Sequence, residues 1–181
     1  MDDHDDPPLE VYVLPGESHL VDEPAVLRTV LGSCVGVTFR APRLGLSALC
    51  HPMLPRFPPA GKATLTTAQG RRYVDFAIRD LAAQFDARGV RRGEIEIKLF
   101  GGADVLVVTN SAARPTVGAL NCESALRTLD EEGFNVLASS LGGTCGVNMR
   151  FHTRTGEVLL KRLSVIGKPC IEEQSMGRTY I

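Results

Sequence analysis

The sequence predicts a single α/β (α+β) domain: mixed β-sheet layers carrying two main helices, with a cysteine–histidine hairpin at its candidate site. Three observations point there. Short runs of alternating apolar residues recur along the chain. Two stretches place apolar residues at helical spacing instead. The 181 residues, 44% of them hydrophobic, suffice for one well-buried core and are short for two. Strands clustered around two amphipathic helices form such a domain because each element must bury one apolar face.

In chain order, residues 1–8 read as an acidic tail, and Leu9 to Leu14 as a first strand closed by Pro15-Gly16. Ala25 to Leu31 is extended and ends at a Gly32-Ser33 bend. Cys34 to Arg40 sets Val35, Val37 and Phe39 on one face, and Leu44 to His51 sets Leu46, Ala48 and Cys50 on one face. Ala41-Pro42-Arg43 supplies the turn between them. Pro52 to Gly61 is proline-rich and irregular.

Tyr73 to Arg88 is an amphipathic helix with Val74, Ala77, Ile78, Leu81 and Phe85 on its apolar face, and Gly89 sits where a C-cap glycine belongs. Glu94 to Leu99 is a half-buried strand running into Phe100-Gly101-Gly102-Ala103-Asp104. Thr116 to Glu132 is a second helix presenting Val117, Leu120, Leu126 and Leu129, stopped by Gly133. Strands at Asn135 to Ala138, Asn148 to Thr153 and Val158 to Leu163 complete the domain, expected to span 9–166, with a C-terminal tail over 167–181.

Composition narrows the function. A formal net charge of −1 provides no basic field of the kind that attracts nucleic acid. No apolar run approaches the roughly 20 residues of a membrane helix, and the acidic start is unlike a basic signal peptide, so a cytoplasmic protein is expected. Five cysteines, odd in number and without a C-x-x-C pair, signal neither a disulfide framework nor a zinc site, and read as free thiols. No metal or other cofactor is expected. The Gly101-Gly102 and Gly142-Gly143 pairs lack a P-loop lysine and the dinucleotide fingerprint, and read as tight turns beneath a binding surface.

Cys34 stands out, although a lone cysteine on an apolar strand is ordinarily a small buried hydrophobe. If the hairpin turns about Pro42 and Arg43, Val35 pairs with Cys50, Val37 with Ala48, Phe39 with Leu46 and Cys34 with His51. Opposed Cβ atoms lie about 4.5–5.5 Å apart, and a thiol beside an imidazole is a nucleophile with its base. The imidazole would lower the thiol pKa. Backbone N–H groups of the Gly32-Ser33 bend could hold an oxyanion. Cys50 should face the core, while Cys122, Cys145 and Cys170 read as incidental thiols.

Four blocks carry a family resemblance: Thr29-Val30-Leu31-Gly32-Ser33-Cys34-Val35-Gly36-Val37; His51-Pro52-Met53-Leu54-Pro55; Phe100-Gly101-Gly102-Ala103; and Gly142-Gly143 ahead of Thr155-Gly156-Glu157-Val158. In this order, over residues 9–163, they resemble the chemoreceptor glutamine deamidase family, CheD. The resemblance implies a deamidase-like catalytic domain. Cys34 would attack the side-chain carboxamide of selected receptor glutamines, and His51 would act as base and then protonate departing ammonia. Water would then hydrolyse the thioester to glutamate.

It also implies an upstream threonine that orients the histidine. Thr29 is the candidate, the family spacing pointing alternatively to the position of Arg28. Phe100, Gly101, Gly102, Gly142 and Gly143 would form a surface for substrate or partner. Ser140 and Val147 stand where members often carry an acidic residue and an arginine. Chemoreceptor cytoplasmic helices would be the substrate, and a CheC-type phosphatase a partner. Two alternatives use the same residues differently: a binding module without significant catalysis, and a thiol amidase or transglutaminase-like acyl transferase with another acceptor.

Overall fold

The computed structural model describes residues 8–59, 65–105 and 114–163. The expected tails, Cys170 and the end of the proline-rich stretch lie outside the described residues. Among the described residues the strands are β1 (Leu9–Tyr12), β2 (Ser18–Val21), β3 (Ala25–Leu31), β4 (Val35–Ala41), β5 (Leu46–Cys50), β6 (Glu96–Gly101), β7 (Val136–Leu141), β8 (Val147–His152) and β9 (Val158–Arg162). The helices are a single turn, α1 (Thr67–Gly70), and the two main ones, α2 (Val74–Asp86) and α3 (Val117–Glu131).

The strands form two mixed sheets, one of four strands in the order β1-β3-β8-β9 and one of five in the order β2-β5-β4-β6-β7. Pairing is antiparallel except for β1 with β3 and β6 with β7. One core joins Val35, Val37, Phe39, Leu46, Ala48 and Cys50 to the buried face of α2 and to Ala125 and Leu129 of α3. A second joins Leu49 and Phe100 of the five-stranded sheet to Leu27, Leu31, Met149 and Phe151 of the four-stranded one. The central sheet is therefore covered on both faces. This is why β5 is buried at every position, as strands covered on both sides are.

The hairpin forms in a different register from the one expected. Val37 pairs with Cys50, Phe39 with Ala48 and Ala41 with Leu46. Proline cannot enter a primed two-residue turn; instead Pro42–Leu44 makes a 3₁₀ turn closed by Gly45 at φ 64°. The longer loop moves the pairing by two residues. A slip of two keeps each side chain on its face, so the apolar sets still meet the helices. Cys34, however, is no longer opposite His51.

The second helix was expected to bury Val117, Leu120, Leu126 and Leu129. It buries Gly118, Asn121, Ser124, Ala125, Thr128 and Leu129, leaving Val117 and Leu126 50% and 47% exposed. β2 was not expected, because Ser18-His19-Leu20-Val21 is too short and polar to signal itself; its pairing with β5 supplies the missing stabilisation.

Candidate active site

His51 follows the last residue of β5 and is 1% exposed. Its backbone is gripped on both sides by the preceding turn: Gly16 N donates to His51 O at 2.7 Å, and His51 N donates to Glu17 O at 2.9 Å. Thr29, fully buried on β3, lies with Oγ1 2.7 Å from His51 Nδ1. The same hydroxyl donates to Val13 O at 2.8 Å. A hydroxyl has one proton. Since that proton goes to Val13, Nδ1 of the neutral ring must donate to Thr29 Oγ1, and this tautomer leaves the lone pair on Nε2. Nε2 is buried and makes no hydrogen bond among the described residues. Arg28, the alternative position for the orienting group, points elsewhere and pairs with Glu10 at 2.6 Å.

Cys34 lies in the three-residue passage where the chain leaves β3 of one sheet and enters β4 of the other. All three carbonyls of that passage are held: Gly32 O by Ala103 N and Cys34 O by Gly102 N, both at 2.8 Å, and Ser33 O by Asn121 Nδ2 at 2.8 Å. A second glycine turn joins them, with Gly142 N donating to Gly101 O at 2.9 Å and Asp104 N to Gly143 O at 2.8 Å. Gly101, at φ 98°, is required there: a Cβ on it would stand 2.4 Å from Cys34 O.

The thiol is half-buried, and burial pushes its pKa above the ordinary cysteine value. Burial likewise pushes the His51 pKa down, against a smaller opposing effect of the Val13 carbonyl. At rest the two groups are a neutral thiol and a neutral imidazole. The structure contains no Cys34–His51 hydrogen bond, and the expected lowering of the thiol pKa is reversed. Cys50 is completely buried, its pKa pushed up to about 12, and is core as expected. Cys34, Cys50 and Cys122 carry free thiols. Cys145 is disulfide-bonded, contrary to the expectation of free thiols throughout.

Of the residues expected to form a contact surface, Phe100 is 1% exposed and Gly101 and Gly102 are buried, whereas Gly142 and Gly143 are exposed. The first three support the site from beneath and do not form its surface. Two residues of α3 were missed. Besides Ser33 O, Asn121 Nδ2 donates to Met53 O at 3.0 Å, and Ser124 Oγ donates to Pro55 O. Their signal was a polar stripe, Asn121, Ser124 and Thr128, at helical spacing.

The family model described as CheD chemotactic sensory transduction matches residues 53–162, a span that begins just after His51. A protein of Geobacter sulfurreducens named "Probable chemoreceptor glutamine deamidase CheD 2" is 43% identical over 154 residues, 85% of this chain and 90% of its own. Proteins of Trichlorobacter lovleyi and Maridesulfovibrio salexigens, each named "Probable chemoreceptor glutamine deamidase CheD", are 39% and 35% identical. The alignments cover 90% and 84% of this chain, and 96% and 91% of those proteins. Among solved structures, Bacillus licheniformis YfiH overlaps 68% of this chain and 49% of its own at TM-score 0.43 and 13% identity, an overlap from which nothing transfers. With the family match running over residues 53–162 and relatives this similar along most of their length, the chain belongs to the CheD family.

Proposed function

We propose that this protein deamidates selected glutamines in the cytoplasmic helices of chemoreceptors, giving glutamate and ammonia through a thioester on Cys34. The relatives' names supply the substrate class. The observation that carries the chemistry is the buried Thr29–His51 bond, which leaves Nε2 of His51 as an unprotonated, unpartnered base.

Because thiol and imidazole are both neutral at rest, the thiol is activated as the substrate is attacked. Cys34 Sγ bonds to the carboxamide carbon while its proton passes to His51 Nε2. The resulting oxyanion is held by the N–H groups of the Gly32–Cys34 passage. Its carbonyls are all engaged; the Cys34 N–H bonds its own sulfur, and the Ser33 N–H has no partner among the described residues. Collapse breaks the C–N bond, and the proton on Nε2 leaves with ammonia. A water then attacks the thioester, giving its proton to Nε2; the proton returns to sulfur as glutamate departs.

Action on receptor cytoplasmic helices implies a cytoplasmic protein, and no described helix is long and apolar enough to cross a membrane. Docking to a CheC-type phosphatase belongs to the same reading, with the exposed Gly142-Gly143 turn as its candidate surface. Mass spectrometry of receptor fragments tests the activity: wild type should convert glutamine to glutamate, and Cys34→Ala should not. Equal conversion by Cys34→Ala would refute the chemistry. An intact chemotactic phenotype with Cys34→Ala would favour the binding module, and amine incorporation in place of water the acyl transferase.

A further inference from the structure

Asn121 lies in the second turn of α3 with no exposed surface. Its amide nitrogen donates to Ser33 O at 2.8 Å and to Met53 O at 3.0 Å. Both acceptors are carbonyl oxygens, so chemistry fixes which end of the amide faces them. Ser33 precedes Cys34, and Met53 lies two residues beyond His51. Among the described residues, no other side chain hydrogen-bonds both segments. Its Oδ1 is buried and without a partner among the described residues, which carries a desolvation cost.

The helix that carries Asn121 is itself held in place. Thr116 caps its N-terminus by accepting from Ala119 N. Gly118 packs so closely on the turn after β6 that a Cβ there would stand 2.4 Å from Gly102 O. A donor on so rigid an element sets the separation of whatever it binds.

We infer that Asn121 is a positioning residue for the deamidation, its amide fixing the Cys34 passage against the His51–Met53 segment so that thiol and imidazole meet in the transition state. The inference rests on the proposed function and adds a residue to it. Thr29 sets the ring's tautomer, Gly102 and Ala103 hold the passage by its carbonyls, and Asn121 sets the distance between the two reacting groups.

The test compares Asn121→Asp and Asn121→Ala with Leu129→Ala, which removes buried hydrocarbon from the same helix without touching the cysteine passage or the His51–Met53 segment. Readouts are kcat and KM on receptor fragments, the alkylation rate of Cys34 by iodoacetamide, and Tm. Misplacement by about 1 Å costs about 10²-fold in rate, so both Asn121 variants should lose about 10–100-fold in kcat with KM unchanged. Leu129→Ala should lower Tm and leave kcat unchanged. A protonated carboxyl regains one donor; the Asn121→Asp deficit relative to wild type should therefore shrink as pH falls, and that of Asn121→Ala should not.

Wild-type kcat in folded Asn121 variants, an equal loss in Leu129→Ala, or failure of every Asn121 variant to fold would each overturn the positioning role. A wild-type protein without deamidase activity refutes the proposed function instead. Cys34 alkylation then decides the Asn121 role separately, an unchanged rate in Asn121→Asp overturning it and a slowed rate upholding the contact.

Discussion

α2 and α3 lie side by side against the five-stranded sheet, yet one buries hydrocarbon and the other buries donors. α2 buries Val74, Ala77, Ile78, Leu81, Ala82 and Phe85. α3 buries Gly118, Asn121, Ser124 and Thr128 beside Ala125 and Leu129, with Val117 and Leu126 half-exposed. What each helix faces explains the difference. α2 meets the side chains of Phe39, Ala48 and Cys50, a surface that water leaves favourably. The N-terminal half of α3 meets backbone of the cysteine passage and the His51–Pro55 segment, where carbonyls such as Ser33 O, Met53 O and Pro55 O need donors. The first helix stabilises the fold; the second organises the site.

Substitutions can break or sharpen that division. The largest effect belongs to α2. Phe85→Ala, which empties the ring packed 5.7 Å from Phe39, should cost about 3–5 kcal/mol of unfolding free energy by denaturant titration. The remaining folded enzyme should keep its kcat; a fall in kcat would mean that α2 also shapes the site.

Next comes Thr29→Val, which preserves shape and removes the hydroxyl that accepts from His51 Nδ1. A drop of about 10–100-fold in kcat is expected from the mis-set ring, and wild-type turnover would refute the orienting role.

Gly118→Ala follows, because its methyl must push against Gly102 O. It should cost about 1–3 kcal/mol and slow Cys34 alkylation as well, since the passage rests on Gly102. Loss of stability with unaltered alkylation would detach α3 from the site.

Smaller still is the pH dependence. Burial lowers the His51 pKa below its ordinary value near 6.5, so the unfolded chain binds more protons than the folded one between those two values. The His51 contribution is therefore intact above about pH 6.5 and is lost as pH falls toward the folded pKa. The acid limb of kcat/KM should lie below about 6.5; a limb above it would contradict a buried neutral base. Cys34 alkylation should rise only toward and beyond about pH 8.5, since burial raises the thiol pKa.

The smallest effect is expected at Leu126→Lys on the outer side of α3. Stability should change by less than about 0.5 kcal/mol, and a larger loss in thermal denaturation would mean that the exposed face of α3 is covered.

Element positions were legible wherever local physics dictates them. The stretch over Ala25–Leu31 is a strand as read, and α2 ends at Asp86 ahead of Gly89, whose φ of 73° only glycine adopts readily. The apolar face of α2 was legible because it meets side chains. The face of α3 was not, because its partners are carbonyls distant in the chain and its contact residues are small or polar.

By itself the sequence determined the candidate nucleophile and base, through Leu31-Gly32-Ser33-Cys34 and His51-Pro52-Met53-Leu54-Pro55. It also determined the strand faces, since period-two alternation survives a two-residue shift of register. Tertiary structure alone decided that register, through the 3₁₀ turn at Pro42–Leu44. It also set the Thr29–His51 bond between two sheets, the neutral resting state of the thiol and imidazole, and the place of Asn121. These depend on burial and on hydrogen bonds between segments far apart in the chain, and a carbonyl's need for a donor leaves no mark in the residue that carries it.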